Sequence, residues 1–196
     1  DATTFLRGDN TFAEAGGGGA YELISTTTVS SSVSSVDFTT LSTDYKDFKI
    51  VMSSVRNYTH QVDPHVRVKR SGQSSFDEGS SDYLWNTYGF RDANSVVSNY
   101  STGSAYLRLT GTNVASYNIV GGATHNFEVD FYNVHGTNNK KFVRSFSAFT
   151  DGAYGRSAHA MGSGYRNNQE ALIGLQFFFS AGNIIEGFFS LYGRKI

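Results

Sequence analysis

The chain has 196 residues, with 16 lysines and arginines against 17 acidic residues, a formal net charge of -1 and no cysteine. That balance lacks the basic excess of a nucleic-acid binder, and the missing thiols exclude a disulfide framework or a thiolate zinc site. No apolar run approaches the roughly 20 residues of a membrane helix, and the length favours one domain with a core of its own.

The composition also points to a class. With 16 Phe and 12 Tyr, and few stretches pairing Ala, Leu, Glu and Lys at helical spacing, strands are favoured over helices. The expected fold is all-β, an antiparallel β-sandwich of jelly-roll type.

Asp1–Ala20 holds isolated apolar residues and ends in Gly16–Gly19. Four consecutive glycines read as a hinge, so 1–20 is expected to be a connector and 21–196 the folded domain. A start at Asp1 rather than Met is read as an upstream part left out.

Strands are expected over Tyr21–Val29 and Val33–Phe38, with a short helical turn at Leu41–Tyr45. Tyr45–Val55 alternates, placing Phe48, Ile50 and Met52 on one face. Pro64–Lys69 puts Val66 and Val68 inward and the basic row His65, Arg67 and Lys69 outward. Such a row suits acidic sugars or a phosphate, or is simply a solvated face that resists edge pairing. Ser71–Thr102 reads as a long polar loop carrying the only tryptophan. Within it Tyr83, Trp85, Tyr88 and Phe90 neighbour Arg91 and Asp92.

Further strands are expected at Ala105–Leu109, Tyr117–Val120 and His125–Val134, with Lys141–Phe149 as a hairpin partner of the last. Asp151–Arg156 is a second glycine-containing tip. Ser157–Tyr165 follows, where Gly162 and Gly164 imply a bulge or a close backbone approach. Ala171–Gly193 supplies two long strands joined by a tight turn at Ala181-Gly182-Asn183. Ile173, Leu175, Phe177 and Phe179 share one expected core face, as do Ile185, Phe189 and Leu191. Phe178 and Phe188 fall on mixed faces, which implies a second layer or a neighbouring subunit, or cover by loops of the same chain.

Several phrases carry a resemblance. Thr4-Phe5-Leu6-Arg7-Gly8-Asp9-Asn10-Thr11-Phe12 resembles the "TFLRGDGTF/W" connector of tailed-bacteriophage tail fibres and other appendage proteins, with Asn10 where Gly is usual. Gly19-Ala20-Tyr21-Glu22-Leu23-Ile24-Ser25, then Val36-Asp37-Phe38, Tyr45 and Phe48, resemble the opening of a domain common in such phages, with Tyr21 where Trp is usual. Gly187–Gly193 resembles its closing strand, and the middle is unmatched. The resemblance implies a C-terminal receptor-binding domain, a homotrimer on a virion tail appendage, joined to an upstream fibre or virion protein. In that setting Arg7-Gly8-Asp9 is part of the connector rather than an integrin ligand.

Catalytic signatures are weak. The five histidines follow no metal-binding spacing, and Gly162-Ser163-Gly164 is not a nucleophile elbow. Glu128 and Asp130 share a strand face at about 7 Å, a separation open to a glycosidase pair or to two solvated carboxylates. Asp77, Glu78 and Asp82 lack the order of a calcium loop. Neither a cofactor nor a metal is expected, nor is catalysis.

Binding fits better. Flat rings cover the C–H faces of sugars while Asn, Asp, Arg and Ser pair with hydroxyls. The expected ligand-binding residues are Tyr83, Trp85, Tyr88, Arg91 and Asp92 in the long stretch, and Asp151, Tyr154 and Arg156 at the tip. Trp85 and its neighbours equally suit a role as anchors of that stretch. The expected partner is a host surface glycan or protein, with no nucleic acid and no membrane insertion. The rival readings are a non-enzymatic decoration or head-fibre protein and a polysaccharide depolymerase.

Overall fold

The computed structural model describes residues 21–91 and 95–195, plus the backbone of two short strands nearer the start. Those two, β1 (Thr4–Leu6) and β2 (Phe12–Glu14), pair with each other. The rest of the expected connector lies outside the described residues. In chain order the other strands are β3 (Glu22–Val29), β4 (Ser35–Phe38), β5 (Asp47–Asn57), β6 (Pro64–Arg70), β7 (Tyr83–Arg91), β8 (Ser95–Ser104), β9 (Leu107–Arg108), β10 (His125–Phe131), β11 (Lys141–Thr150), β12 (Ser157–Arg166), β13 (Leu172–Phe179) and β14 (Ile184–Arg194).

Two antiparallel sheets form the all-β sandwich. The larger has eight strands in the order β3-β14-β5-β10-β11-β12-β7-β8, and the smaller has four, β4-β13-β6-β9. This arrangement is compatible with the jelly-roll type. The layers meet because each strand turns its apolar alternate positions the same way. Phe48, Ile50 and Met52 of β5 and Phe127, Val129 and Phe131 of β10 are all buried. They face Val66 and Val68 of β6 and Leu175, Phe177 and Phe179 of β13 in one core. The Phe177 ring lies 5.6 Å from both Phe127 and Phe189 across the layers.

Several expectations need correction. Ala171–Gly193 is not a hairpin: β13 belongs to the small sheet and β14 to the large one. The turn at Gly182 therefore carries the chain from one layer to the other, and its φ of +71° suits glycine. Ile173 and Ile185 are not core residues; Leu172 and Ile184 are. Register shifts at Leu172/Gly174 and Ile184/Glu186 move the inward position by one residue. The long polar loop at Ser71–Thr102 is largely a strand pair, β7 with β8, at one side of the large sheet. Leu41–Tyr45 contains no helix, only a turn closed by the Tyr45 N–H on the Ser42 carbonyl. Tyr117–Val120 is likewise a turn rather than a strand. The row His65, Arg67 and Lys69 is not a basic face. His65 is buried under the Tyr106 ring at 3.6 Å, and Arg67 reaches Glu78 at 3.5 Å.

The sandwich has two distinct poles. Glu22, where β3 begins, is opposite Gly193 near the end of β14. Antiparallel pairing then sends the β5–β6, β9–β10, β11–β12 and β13–β14 connections to the far pole.

Candidate functional site

Three of the far-pole connections are knitted into one rim. Val114 bridges Val62 on one side and Asp151 on the other. The Gly152 N–H donates to the Asn113 carbonyl at 2.7 Å, and the Asn113 amide donates to the Gln61 carbonyl at 3.1 Å. The Ser116 hydroxyl donates to the Tyr58 carbonyl at 2.9 Å, and its N–H to His60 Nδ1 at 3.1 Å. Loops so cross-linked hold their outward side chains in place before any ligand arrives, which lowers the ordering cost of binding.

The β11–β12 tip stands on this rim. Asp151 is fully buried, and its Oδ1 accepts from the Ala153 and Tyr154 N–H groups at 2.9 and 3.0 Å. The turn closes with the Asp151 N–H on the Arg156 carbonyl and the Gly155 N–H on the Asp151 carbonyl, both at 2.8 Å. Tyr154 is thereby pushed outward and is 61% exposed. Two guanidinium groups lie over its ring, Arg91 at 4.6 Å and Arg156 at 5.4 Å. Arg91 arrives from the end of β7, which pairs with the start of β12, and its Nη1 lies 3.5 Å from Asp151 Oδ2. The fold thus brings Arg91, Tyr154 and Arg156, from two expected sites, to one place, whereas Asp151 is a correction: fully buried, it holds the turn and faces the Arg91 guanidinium rather than a ligand.

The other expected residues lie elsewhere. Tyr83 is a correction: it is fully buried, and its hydroxyl accepts from Val68 N–H at 2.9 Å and donates to the Asp77 carbonyl at 3.1 Å. Burial pushes its phenol above the ordinary range, so it ties the two sheets together and offers nothing to a ligand. Trp85 also points inward and is buried, with its indole N–H unpartnered. It borders a shallow depression of ≈ 410 Å³ with Leu84, Asn86, Tyr100, Phe142 and Tyr165. Tyr88 is exposed, but on the outer face of the large sheet rather than at the rim. Asp92 lies outside the described residues. Alternation explains the split, because Tyr83 and Trp85 share one strand face and Tyr88 and Phe90 the other.

Sequence reasoning missed Tyr58 and Ile119, both exposed at this pole, and Tyr117, whose ring carries Arg56 at 4.3 Å. Tyr58 was legible only as a tyrosine between two strands.

The acidic candidates are engaged. Lys49 Nζ lies 2.9 Å from Glu128 and 3.5 Å from Asp130, and Arg144 reaches Asp130 at 2.7 Å. Arg166 bonds Asp77 at 2.6 Å and Asp82 at 2.9 Å. His125 is buried; its Nε2 lies within reach of the Ala115 carbonyl and Asn57 Oδ1, its Nδ1 accepts from Thr150 N–H, and burial lowers its pKa to about 4. These groups pair with a cation, at the surface for Glu128 and inside the fold for Asp77, or satisfy backbone.

No family model and no curated protein matches this sequence. Among solved structures the chain is similar to the CBM2 module of the evolved Dit of Lactobacillus casei BL23 phage J-1. The identity is 10%, the match covers 95% of this chain and 81% of that one, and the TM-score is 0.22, too low to carry an argument.

Proposed function

We propose that this domain attaches a virion to a host cell-surface receptor, a glycan, as the tip of a phage tail appendage. The observation that supports this reading most is the polarity of the sandwich. The first strand of its sheets starts and the last one ends at one pole, and the knitted rim with Tyr154 stands at the other. A connector at the first pole holds the second one outward. There Arg91 and Arg156 offer donors to sugar hydroxyl or carboxylate oxygens, and Tyr154 adds ring edge and hydroxyl. No bond is cleaved in this reading, which is supported by the pairing of Glu128 and Asp130 with Lys49 and Arg144.

One such site binds weakly. Display on a homotrimer, which the resemblance implies, raises avidity by about 10²–10⁴ when the sites engage together. The test is binding of the domain to purified host-surface polysaccharide. Tyr154→Ala and Arg156→Ala are expected to weaken binding about tenfold each while the melting temperature stays within about 2 °C, as surface substitutions do. A domain that binds no host polysaccharide overturns the reading and leaves a structural virion component as the better one. Release of reducing ends from the polysaccharide, abolished by Glu128→Gln, establishes a depolymerase instead.

A further inference from the structure

The larger sheet has a face that nothing covers among the described residues. Its outward row across three neighbouring strands is Phe146, Met161 and Tyr88, in direct register. These side chains are 49%, 58% and 48% exposed. One row toward the rim lie Ala148, His159, Phe90 and Val96. Toward the other pole lie Phe142, Tyr165 and Leu84, beyond a polar row that includes Ser163 and Asn86. The charges on this face gather at one side, where Lys49, Glu128, Asp130 and Arg144 neutralise one another.

We infer that this face is where copies of the same chain meet. Size is the first argument. Five strands from β10 to β8, about 4.8 Å apart and about seven residues of about 3.4 Å long, span about 24 Å by about 24 Å. That is on the order of 600 Å² in projection, and side-chain relief brings the accessible area toward the roughly 800 Å² per partner of a stable interface.

Chemistry is the second argument. Phe146, Met161 and Phe90 have no group that hydrogen-bonds well to a sugar hydroxyl, and the shallow depression of ≈ 410 Å³ on this face lies away from them, beside Leu84, Asn86, Phe142 and Tyr165. A second sheet face suits such a row, since sheets pack face to face about 10 Å apart with strands nearly aligned. Polarity is the third. A rotation axis laid along β12 keeps every Glu22 pole on one side and every Tyr154 rim on the other. It gathers the Met161 side chains at the axis and sets Phe146 of one copy against Tyr88 of the next. The same surface serves each copy, as closed symmetry requires.

This inference deepens the proposed function by supplying the repetition that avidity needs, and its test reads mass rather than binding. Sedimentation of the wild-type chain at about 10–50 μM is expected to give a dimer or trimer. Met161→Glu and Phe146→Arg are expected to sediment as monomers at the same concentrations with an unchanged strand circular-dichroism spectrum. A wild-type monomer, or an oligomer that both substitutions leave intact, overturns the inference. So does a monomer whose Tyr88 and Met161 NMR signals shift on adding host polysaccharide, which makes the face a glycan platform. Loss of glycan binding in an intact oligomer counts against the attachment reading alone.

Discussion

His65 illustrates how one residue couples this fold to pH. It is buried between the Tyr106 and Phe178 rings, and neither ring nitrogen has a hydrogen-bond partner. Burial first, and then the nearby Arg108 and Arg67 guanidinium groups, lower its pKa to about 3. In the unfolded chain a histidine takes up a proton near pH 6.5. Between those values the unfolded state binds more protons than the folded one, so stability rises with pH across the window. The contribution is complete above about pH 6.5 and is lost progressively as pH falls toward about 3. His125, lowered to about 4 by its own burial, acts in the same direction. Asp63, 4.0 Å from His65, has its carboxyl raised by burial and offsets part of the effect at the acid end. The melting temperature is expected to drop steadily from pH 7 to pH 4. His65→Phe keeps the ring stack and removes the ionisable group, so its melting curve is expected to fall less steeply with acid. An unchanged slope in that variant removes His65 as the cause.

Elements show where sequence was enough and where it was not. Phe48, Ile50 and Met52, and Phe127, Val129 and Phe131, were legible because plain alternation holds through those two stretches, although β5 slips beyond Met52, where Ser54 has a positive φ. Alternation failed where the register slipped, which is why Ile184 rather than Ile185 is in the core. The β7–β8 pair was hidden by its composition, since serines, asparagines and tyrosines on an outer sheet imitate a loop. The meeting of Arg91 with Tyr154 was beyond any local reading, because it depends on β12 lying beside β7. The close approach expected at Gly162 and Gly164 was legible and has a test. A Cβ on Gly164 would lie 2.5 Å from both the Leu84 carbonyl oxygen and Leu107 Cδ2. Backbone of the paired strand cannot retreat without breaking the β12–β7 ladder. Gly164→Ala is expected to lower stability by about 1–3 kcal/mol, as overpacking does. Urea denaturation should show a lower midpoint at an unchanged slope. A midpoint within error of wild type means that the two strands have slack there.

Polarity of the whole molecule gives attachment its direction. Strand after strand runs between the poles, so Glu22 and Gly193 share one end while Asn113, Ala153 and Tyr154 share the other. The rim is locked by bridges among three connections, so it acts as one rigid surface rather than as three independent loops. The chain has no cysteine, which allows a single thiol to be placed at either end and modified selectively. Ala153 is exposed beside Tyr154. Asn138 is exposed in the β10–β11 connection at the opposite pole. Ala153→Cys carrying a polyethylene glycol chain of about 5 kDa is expected to lose polysaccharide binding, because the polymer shields the rim. Asn138→Cys with the same polymer is expected to bind as the unmodified chain does, since the label trails where a connector would. The unlabelled cysteine variants serve as controls, because neither replaced side chain makes a contact on which the rim depends. Blocking at Asn138 with free binding at Ala153 would reverse the direction of attachment and place the receptor surface beside the chain's entry.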